Sequence, residues 1–316
     1  MYQTAAGSKV RAADVARINA LRIPPAWTEV AINPAPNGRL QAIGKDAAGR
    51  WQYLYHADHV RKQERKKFER VIHFGTSLPA LRQTVSKHLR QPGLSRERVL
   101  ACILKTLSMS FLRPGSEIYA NEHGSYGITT LRSKHVKARG DLVILDFAGK
   151  SGVQQHHELR NPQIAKTIKE LLKRPGRRVF RYESEDNGLV NVTPRHINAY
   201  IREVMGDRFS AKDFRTWAGT LICACELAHA SANGNGDLPV QRRLRSAIEA
   251  TAKALGNTPA VCRSSYVCPS IIQGFEKGQV ISCRLKAVDE LLAFRGASLH
   301  PAEKALLRFL KNGDTT

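Results

Sequence analysis

The chain has 316 residues, 42% hydrophobic and 7% aromatic, which is enough for two packed domains and excludes wholesale disorder. Fifty Lys and Arg residues stand against 27 Asp and Glu, and the resulting net charge of +23 costs self-repulsion unless a polyanion neutralises it. Nucleic acid is the first candidate, because neutralising phosphates releases condensed counterions; a membrane is disfavoured, since no apolar run reaches spanning length and the basic residues are spread along the whole chain.

The opening run MYQTAAGSKVRAADVAR has no apolar core of a secretory signal, and Asp14 counts against a transit peptide. From Trp27 to about His56 the pattern is strand-like. RLQAIGKDAAGRWQYLYH reads as a hairpin with Asp46 to Gly49 as its turn. Residues 56–74 then read as a strongly basic helix, and Gly75 to Pro79 as a domain boundary. A helix is expected at roughly 81–90, and another from Ser95 to about Leu112 with Ser95 as its N-cap. Three strand-like runs follow: YGITTLR, DLVILDF and VQQHHEL. Ala148 to Gly152 forms a glycine-rich tip between the last two, so Lys150 should project from a β-turn.

Beyond this point the start and stop signals are helical. Asn161-Pro162 opens a helix that must end before Pro175, and Thr193-Pro194 opens one ending at Gly206. Ser210 and Asp213 form a capping box ahead of FRTWAGTLICACELAHA. Residues 231–237 read as a loop. A basic helix runs on to Leu255 with Gly256 as its stop. Thr258-Pro259 begins a short segment carrying Tyr266, and two helical runs near 286–295 and 301–311 close the chain. The six cysteines (Cys102, Cys223, Cys225, Cys262, Cys268 and Cys283) lack both disulfide rhythm and zinc spacing. They read as buried reduced thiols in a reducing, cytoplasmic setting.

No GxxxxGK[ST] loop, no GxGxxG after a strand, no HExxH and no acidic cluster of a magnesium nuclease is present. Phosphate chemistry on this chain must run on basic side chains and a protein nucleophile. Six runs carry a specific likeness: LRIPPAW (21–27), GKDAAGRWQYLYHADH (44–59), FLRPGSEIYANEHGSYGITTLRSKHV (111–136), DFAGKSGVQQH (146–156), SAKDFRTWAGT (210–220) and GNTPAVCRSSYV (256–267). In order and spacing they resemble the poxvirus-type and bacterial type IB DNA topoisomerases over nearly the whole chain.

The resemblance implies that Tyr266 is the nucleophile. Arg113, Arg215 and Asn257 would stabilise the transferring phosphate, Lys150 would act as general acid, and Lys212 would assist it. Asn257 stands where viral members carry histidine and resembles bacterial members instead. The chemistry suits these residue types. A phenol attacking a phosphodiester keeps the bond energy in a 3′-phosphotyrosine, so neither ATP nor metal is required. Arginine stays protonated and offers planar donors to the nonbridging oxygens. A lysine on a hairpin tip can protonate the leaving 5′ oxygen.

Taken singly, these residues also have ordinary readings. Arg113 can be a helix-terminal charge, Lys150 a solvated turn residue, Arg215 a surface arginine and Tyr266 half-buried packing. Their joint occurrence in one order favours the reaction. Trp51, Tyr53 and Tyr55 share one strand face, and aromatics so placed are usually core. In the resembled family, however, the small domain covers the major-groove side of the duplex. That makes Tyr53 and Tyr55 candidate DNA contacts, together with Tyr119, Lys134 and His135. The His156-His157 pair reads as a strand residue and its surface neighbour rather than a metal site.

The expected fold is α+β: a small β-rich N-terminal domain (1–78) and a mainly α catalytic domain (79–316) with a short three-stranded antiparallel sheet bearing Lys150. The expected partner is double-stranded DNA, bound by a monomeric clamp without cofactor, metal or membrane, in the cytoplasm at the nucleoid. A tyrosine recombinase or integrase is the alternative. It uses a similar Arg, Lys, Arg, Tyr set but typically carries histidine where this chain has Lys212. A non-catalytic basic DNA-binding protein is the second alternative.

Overall fold

The computed structural model describes Gln3 and residues 7–186, 188–232, 238–282, 290–291, 294 and 296–313. The chain divides into two compact units, Met1–Glu69 and Arg70–Thr316. In the first, α1 (Ala12–Ala20) precedes an antiparallel sheet of order β1-β2-β3, built from Thr28–Ile32, Leu40–Lys45 and Trp51–Tyr55. The β2–β3 turn closes as its sequence predicts. Asp46 Oδ1 accepts the Ala48 and Arg50 amides at 2.9 and 3.0 Å, and Gly49 takes φ 72°. The Arg50 side chain, hydrogen-bonded to Asp46, holds that carboxyl down at about 2. Gln41 is buried and donates its amide to the Pro36 and Gly38 carbonyls at 2.9 and 2.6 Å, which fixes the preceding loop. Trp51, Tyr53 and Tyr55 do not form core: all three are exposed, Tyr53 to 54%.

The basic helix does not end at 74. One helix, α2, runs from Ala57 to His88 through both Gly75 and Pro79, and the division between the units falls inside it. The two residues have separate uses. A Cβ on Gly75 would collide with the Trp217 ring, so glycine admits that indole. Pro79 has no N–H to give the Gly75 carbonyl four residues back, a local loss that the packed neighbours tolerate. The expected boundary at 75–79 therefore lies within continuous helix, with Gly75 and Leu78 buried.

In the second unit α3 (Arg96–Ser110) is almost wholly buried and is followed by the short α4 (Glu117–Glu122); α3 packs against three further helices, α5 (Pro162–Leu172), α6 (Pro194–Met205) and α7 (Ala211–Ala232). The expected caps form. Ser95 accepts the Arg98 amide, Asn161 accepts those of Gln163 and Ile164, and Thr193 accepts that of His196. Asp213 Oδ2 receives both the amide and the hydroxyl of Ser210, at 2.8 and 2.9 Å. Ser231 and Ala232, expected in a loop, complete α7; residues 233–237 of that loop lie outside the described residues, as does most of the run at 286–295.

The three-stranded sheet is present, but its first strand lies further along than YGITTLR. Ile128–Thr130 turns as a 3-10 helix, with Thr130 Oγ1 taking the Gly127 amide at 2.9 Å, and the strand is β4, Val136–Arg139. It pairs with β5 (Leu142–Ala148), which pairs with β6 (Gln154–Arg160). A small hairpin unforeseen in the sequence, β7 (Arg181–Glu183) with β8 (Leu189–Asn191), precedes α6. Beyond α7 come α8 (Val240–Leu255), the short α9 (Pro259–Ser265), α10 (Pro269–Glu276) and a last helix, Pro301–Gly313.

Cys102, Cys223, Cys225, Cys262 and Cys268 are buried thiols without a disulfide; Cys283 lies outside the described residues. Burial pushes Cys102 and Cys223 up to about 12, which keeps them protonated and inert. No group of metal-ligating side chains occurs among the described residues, and no helix there is long and apolar enough to cross a membrane.

Candidate active site

Arg113 follows the end of α3, where the helix stops on Phe111 in the left-handed conformation (φ 53°). The loop is then fixed from the opposite side. Ile128 N donates to Arg113 O at 3.0 Å, and Thr129 donates its amide and hydroxyl to Pro114 O at 2.9 and 2.8 Å. Gly115 (φ 93°) and Gly127 cross so closely that a Cβ on either would strike the other's backbone. Arg113 is thus held at its backbone while its guanidinium reaches the C-terminal end of α8. There it donates to Asn257 Oδ1 and, at 3.5 Å, to Gly256 O.

Arg215 sits on the second turn of α7 and is only 3% exposed. Its Nη2 donates to Leu255 O at 2.9 Å and its Nη1 to Phe111 O. One buried side chain therefore ties the stop of α3 to the stop of α8. Gly256 ends α8 in the left-handed region (φ 59°), as expected, and turns Asn257 toward Arg113. Burial, then the nearby Arg215, lowers the Arg113 pKa from its ordinary value.

Tyr266 caps the C-terminus of α9, and the Arg215 guanidinium lies 5.0 Å from the centre of its ring. Gly219, one turn beyond Arg215, faces the same way. A Cβ on it would come within 2.9 Å of both Tyr266 Cβ and Tyr266 O, so glycine sets how near the tyrosine comes to α7. The fully buried Thr220 hydroxyl donates to Tyr266 O at 3.1 Å and accepts from Cys268 N at 3.2 Å.

Arg113, Arg215, Asn257 and Tyr266 are thereby gathered around one point. Two donors there are buried without an acceptor: Arg215 Nε and Asn257 Nδ2. The amide orientation follows from Arg113, which can only donate and so needs the Asn257 oxygen. An oriented, desolvated pair of donors beside a phenol suits an incoming anion.

Lys150 stands apart. It is exposed on the turn between β5 and β6, which closes through Gly149 N to Val153 O at 2.8 Å. The strand end just past that turn is near the group, since a Cβ on Gly256 would lie 3.3 Å from Gln155 Nε2. Lys212 is exposed on the first turn of α7, beside the inward-turned Asp213 that Arg70 Nε reaches at 2.8 Å. Of the expected DNA contacts, Tyr53, Tyr55, Tyr119 and Lys134 are exposed.

His135 corrects the expectation of a surface contact. It is 8% exposed, packs edge-on against Tyr126 at 4.3 Å and takes the Arg132 amide on Nδ1. Burial, then Lys134 and Arg132, lowers its pKa and favours the neutral ring. His156 is exposed and His157 half-buried, a strand residue and its neighbour.

Sequence reasoning missed Gly219 and Thr220, although both lie in the quoted run SAKDFRTWAGT. Only the approach of Tyr266 marks them. Thr220→Val, nearly isosteric, strands the Tyr266 carbonyl and Cys268 amide at a cost of about 1–3 kcal/mol in stability. Cleavage of a substrate whose short 5′ strand escapes should slow about tenfold or more, with duplex affinity unchanged, and Thr220→Ser should restore it. Wild-type cleavage by Thr220→Val would show that the hydroxyl does not position the tyrosine.

The family described as eukaryotic DNA topoisomerase I, catalytic core, matches residues 56–277, and that described as bacterial DNA topoisomerase IB, N-terminal domain, matches residues 1–46. The chain is 37% identical over 265 residues to DNA topoisomerase 1B of Acanthamoeba polyphaga mimivirus, covering 82% of this chain and 79% of the relative. It is 25% identical to DNA topoisomerase 1B of vaccinia virus (strain Copenhagen), covering 74% and 72%. A 190-residue match at 26% identity to DNA topoisomerase 1 of Mycosarcoma maydis covers 54% of this chain and 18% of that protein.

Proposed function

The chain belongs to the type IB DNA topoisomerases, and from that premise we propose that it relaxes supercoiled duplex DNA through a transient break made by Tyr266. The phenolic oxygen attacks phosphorus, the bond to the 5′ oxygen breaks, and the strand is held as a 3′-phosphotyrosine. The cut strand swivels. The 5′ hydroxyl then attacks the same phosphorus, expels the phenolate and restores the backbone. Bond energy is retained throughout, so these residues require neither ATP nor metal.

The observation that carries this reading is the pair of buried, acceptor-free donors, Arg215 Nε and Asn257 Nδ2, beside the tyrosine. Nonbridging oxygens gaining charge in the transition state would satisfy both. Arg215 would exchange its carbonyl partners for phosphate oxygens, and Arg113, already next to Asn257, would complete the clamp. Tyr53, Tyr55, Tyr119 and Lys134 would contact the duplex, largely at phosphates that position without specifying sequence. The protein would work as a monomeric clamp, which sedimentation with and without a short duplex tests.

The decisive experiment is plasmid relaxation in EDTA without nucleotide, beside a recombination assay on paired sites. Relaxation of supercoils of either sign without strand exchange is expected; exchange without relaxation would assign the chain to the recombinases.

Lys150, exposed on a hairpin turn, would close over the cleavage site and protonate the 5′ oxygen, with Lys212 assisting. Lys150→Ala should slow cleavage of ordinary DNA by about 10²–10⁴-fold. A substrate with sulfur at the 5′ bridging position, which leaves without a proton, should return most of that rate in single-turnover cleavage. A sulfur substrate that returns nothing would remove Lys150 from the general-acid role.

A further inference from the structure

A second cationic pocket lies apart from the Tyr266 group, with a volume of about 410 Å³. Four arginines line it, Arg132, Arg177, Arg178 and Arg181, together with Asn121 and Asn191, against a single carboxylate, Glu117. The site is built by several elements. Arg132 and Arg178 form an isolated antiparallel bridge that joins the segment before β4 to the loop after α5. Arg181, 6% exposed at the start of β7, donates to the Arg174 carbonyl at 3.0 Å and to that of Pro175, while its Nε is buried without an acceptor. Gly176 (φ 123°) lets the loop wrap it, since a Cβ there would strike its guanidinium. Arg132 lies 5.2 Å from the Tyr126 ring centre, Arg178 is paired with Glu117, and Arg177 is exposed at the rim.

Positive charge held in a recess, in excess of its one carboxylate, is costly unless an anion enters. Burial already lowers the pKa of both Arg178 and Arg181 from their ordinary values. Arginine forks suit the oxygens of phosphates as they do those of carboxylates, several such forks together match a chain of phosphates, and the volume falls in the usual range of small-ligand sites. The recessed arginines favour a compact chain of phosphates over the convex backbone of a duplex, which would reach only the rim. We propose that this pocket binds a free oligophosphate, as an inorganic chain or the phosphate tail of a nucleotide, independently of the reaction centre. The incoming phosphate takes Arg178 from Glu117, which belongs to the same RPGSE run as Arg113 and so connects the pocket to the catalytic loop.

Calorimetric titration of the full chain with sodium tripolyphosphate in metal-free buffer tests this. A saturable binding event is expected that weakens at least tenfold in Arg177→Glu, a rim substitution that leaves the core alone, and persists in Arg113→Ala. Titration with ATP should show the same dependence on Arg177. Absence of saturable binding, or loss in Arg113→Ala with retention in Arg177→Glu, would overturn the proposal; the second result would put the anion at the reaction centre. A short duplex that displaces tripolyphosphate and itself loses tenfold in affinity in Arg177→Glu would make the pocket a contact for duplex backbone and overturn it equally.

Discussion

Tyr266→Phe should abolish plasmid relaxation, a loss of at least about 10⁴-fold, because the variant lacks the hydroxyl proposed to carry the covalent strand. The variant keeps everything except the hydroxyl. Its ring still lies under the Arg215 guanidinium, its carbonyl still accepts from Thr220, and its Cβ still meets α7 at Gly219. Duplex affinity should stay within about twofold of wild type, and the melting temperature within about 2 °C. Three measurements separate the outcomes: relaxation on a gel, adducts trapped by detergent, and anisotropy of a labelled duplex. A detergent-stable adduct formed by the phenylalanine variant would remove Tyr266 from the nucleophile's place.

Arg215→Ala should lose both chemistry and stability. Without the guanidinium, the buried donor nearest the phenol is gone, and cleavage should fall by about 10²–10⁴-fold, the range for removing a preorganised transition-state donor. The Phe111 and Leu255 carbonyls are also left without their partner, which should cost about 2–4 kcal/mol and lower the melting temperature. The two losses separate when single-turnover cleavage is measured well below the melting point with saturating duplex. If cleavage then returns to the wild-type rate, Arg215 is a tie between two helix ends and not a phosphate clamp. Arg215→Lys makes the same distinction by another route. It keeps the charge but not the fork, and should restore stability better than cleavage.

Much of the local structure is legible because its causes lie within a few residues. Ser95, Asn161 and Thr193 cap their helices by reaching amides two or three positions on, and Gly256 ends α8 because it accepts a left-handed backbone. Arg113, Arg215, Asn257 and Tyr266, which the structure brings together, could be named as candidates because each sits in a run with a strong family likeness. Their relations were not legible. That Arg113 meets Asn257 depends on a contact 144 positions apart, and that Arg215 spans the Phe111 and Leu255 carbonyls on contacts 104 and 40 positions apart.

The misreadings have causes at different ranges. Gly75 and Pro79 break helices by propensity, yet Gly75 makes room for Trp217 and α2 continues. His135 is polar and beside a lysine, yet its ring is drawn into the packing of Tyr126 and Phe147. Alternation in YGITTLR suggested a strand, but the hydroxyl of Thr130 offered the Gly127 amide a closer partner and the segment turned.

The Thr220 fastening acquires a mechanical meaning once a strand is attached to Tyr266. A swivelling duplex would apply torque, and at that moment the proposed phosphotyrosine would be a bond through which the protein resists it. Force on the ring passes to the main chain at Tyr266, where one hydroxyl grips the carbonyl and, two residues later, the Cys268 amide. Both grips belong to α7, a helix of 22 residues with most of its length in the core. The tyrosine is therefore moored to a long, largely buried helix, and under load its oxygen would keep its place for the proposed return attack.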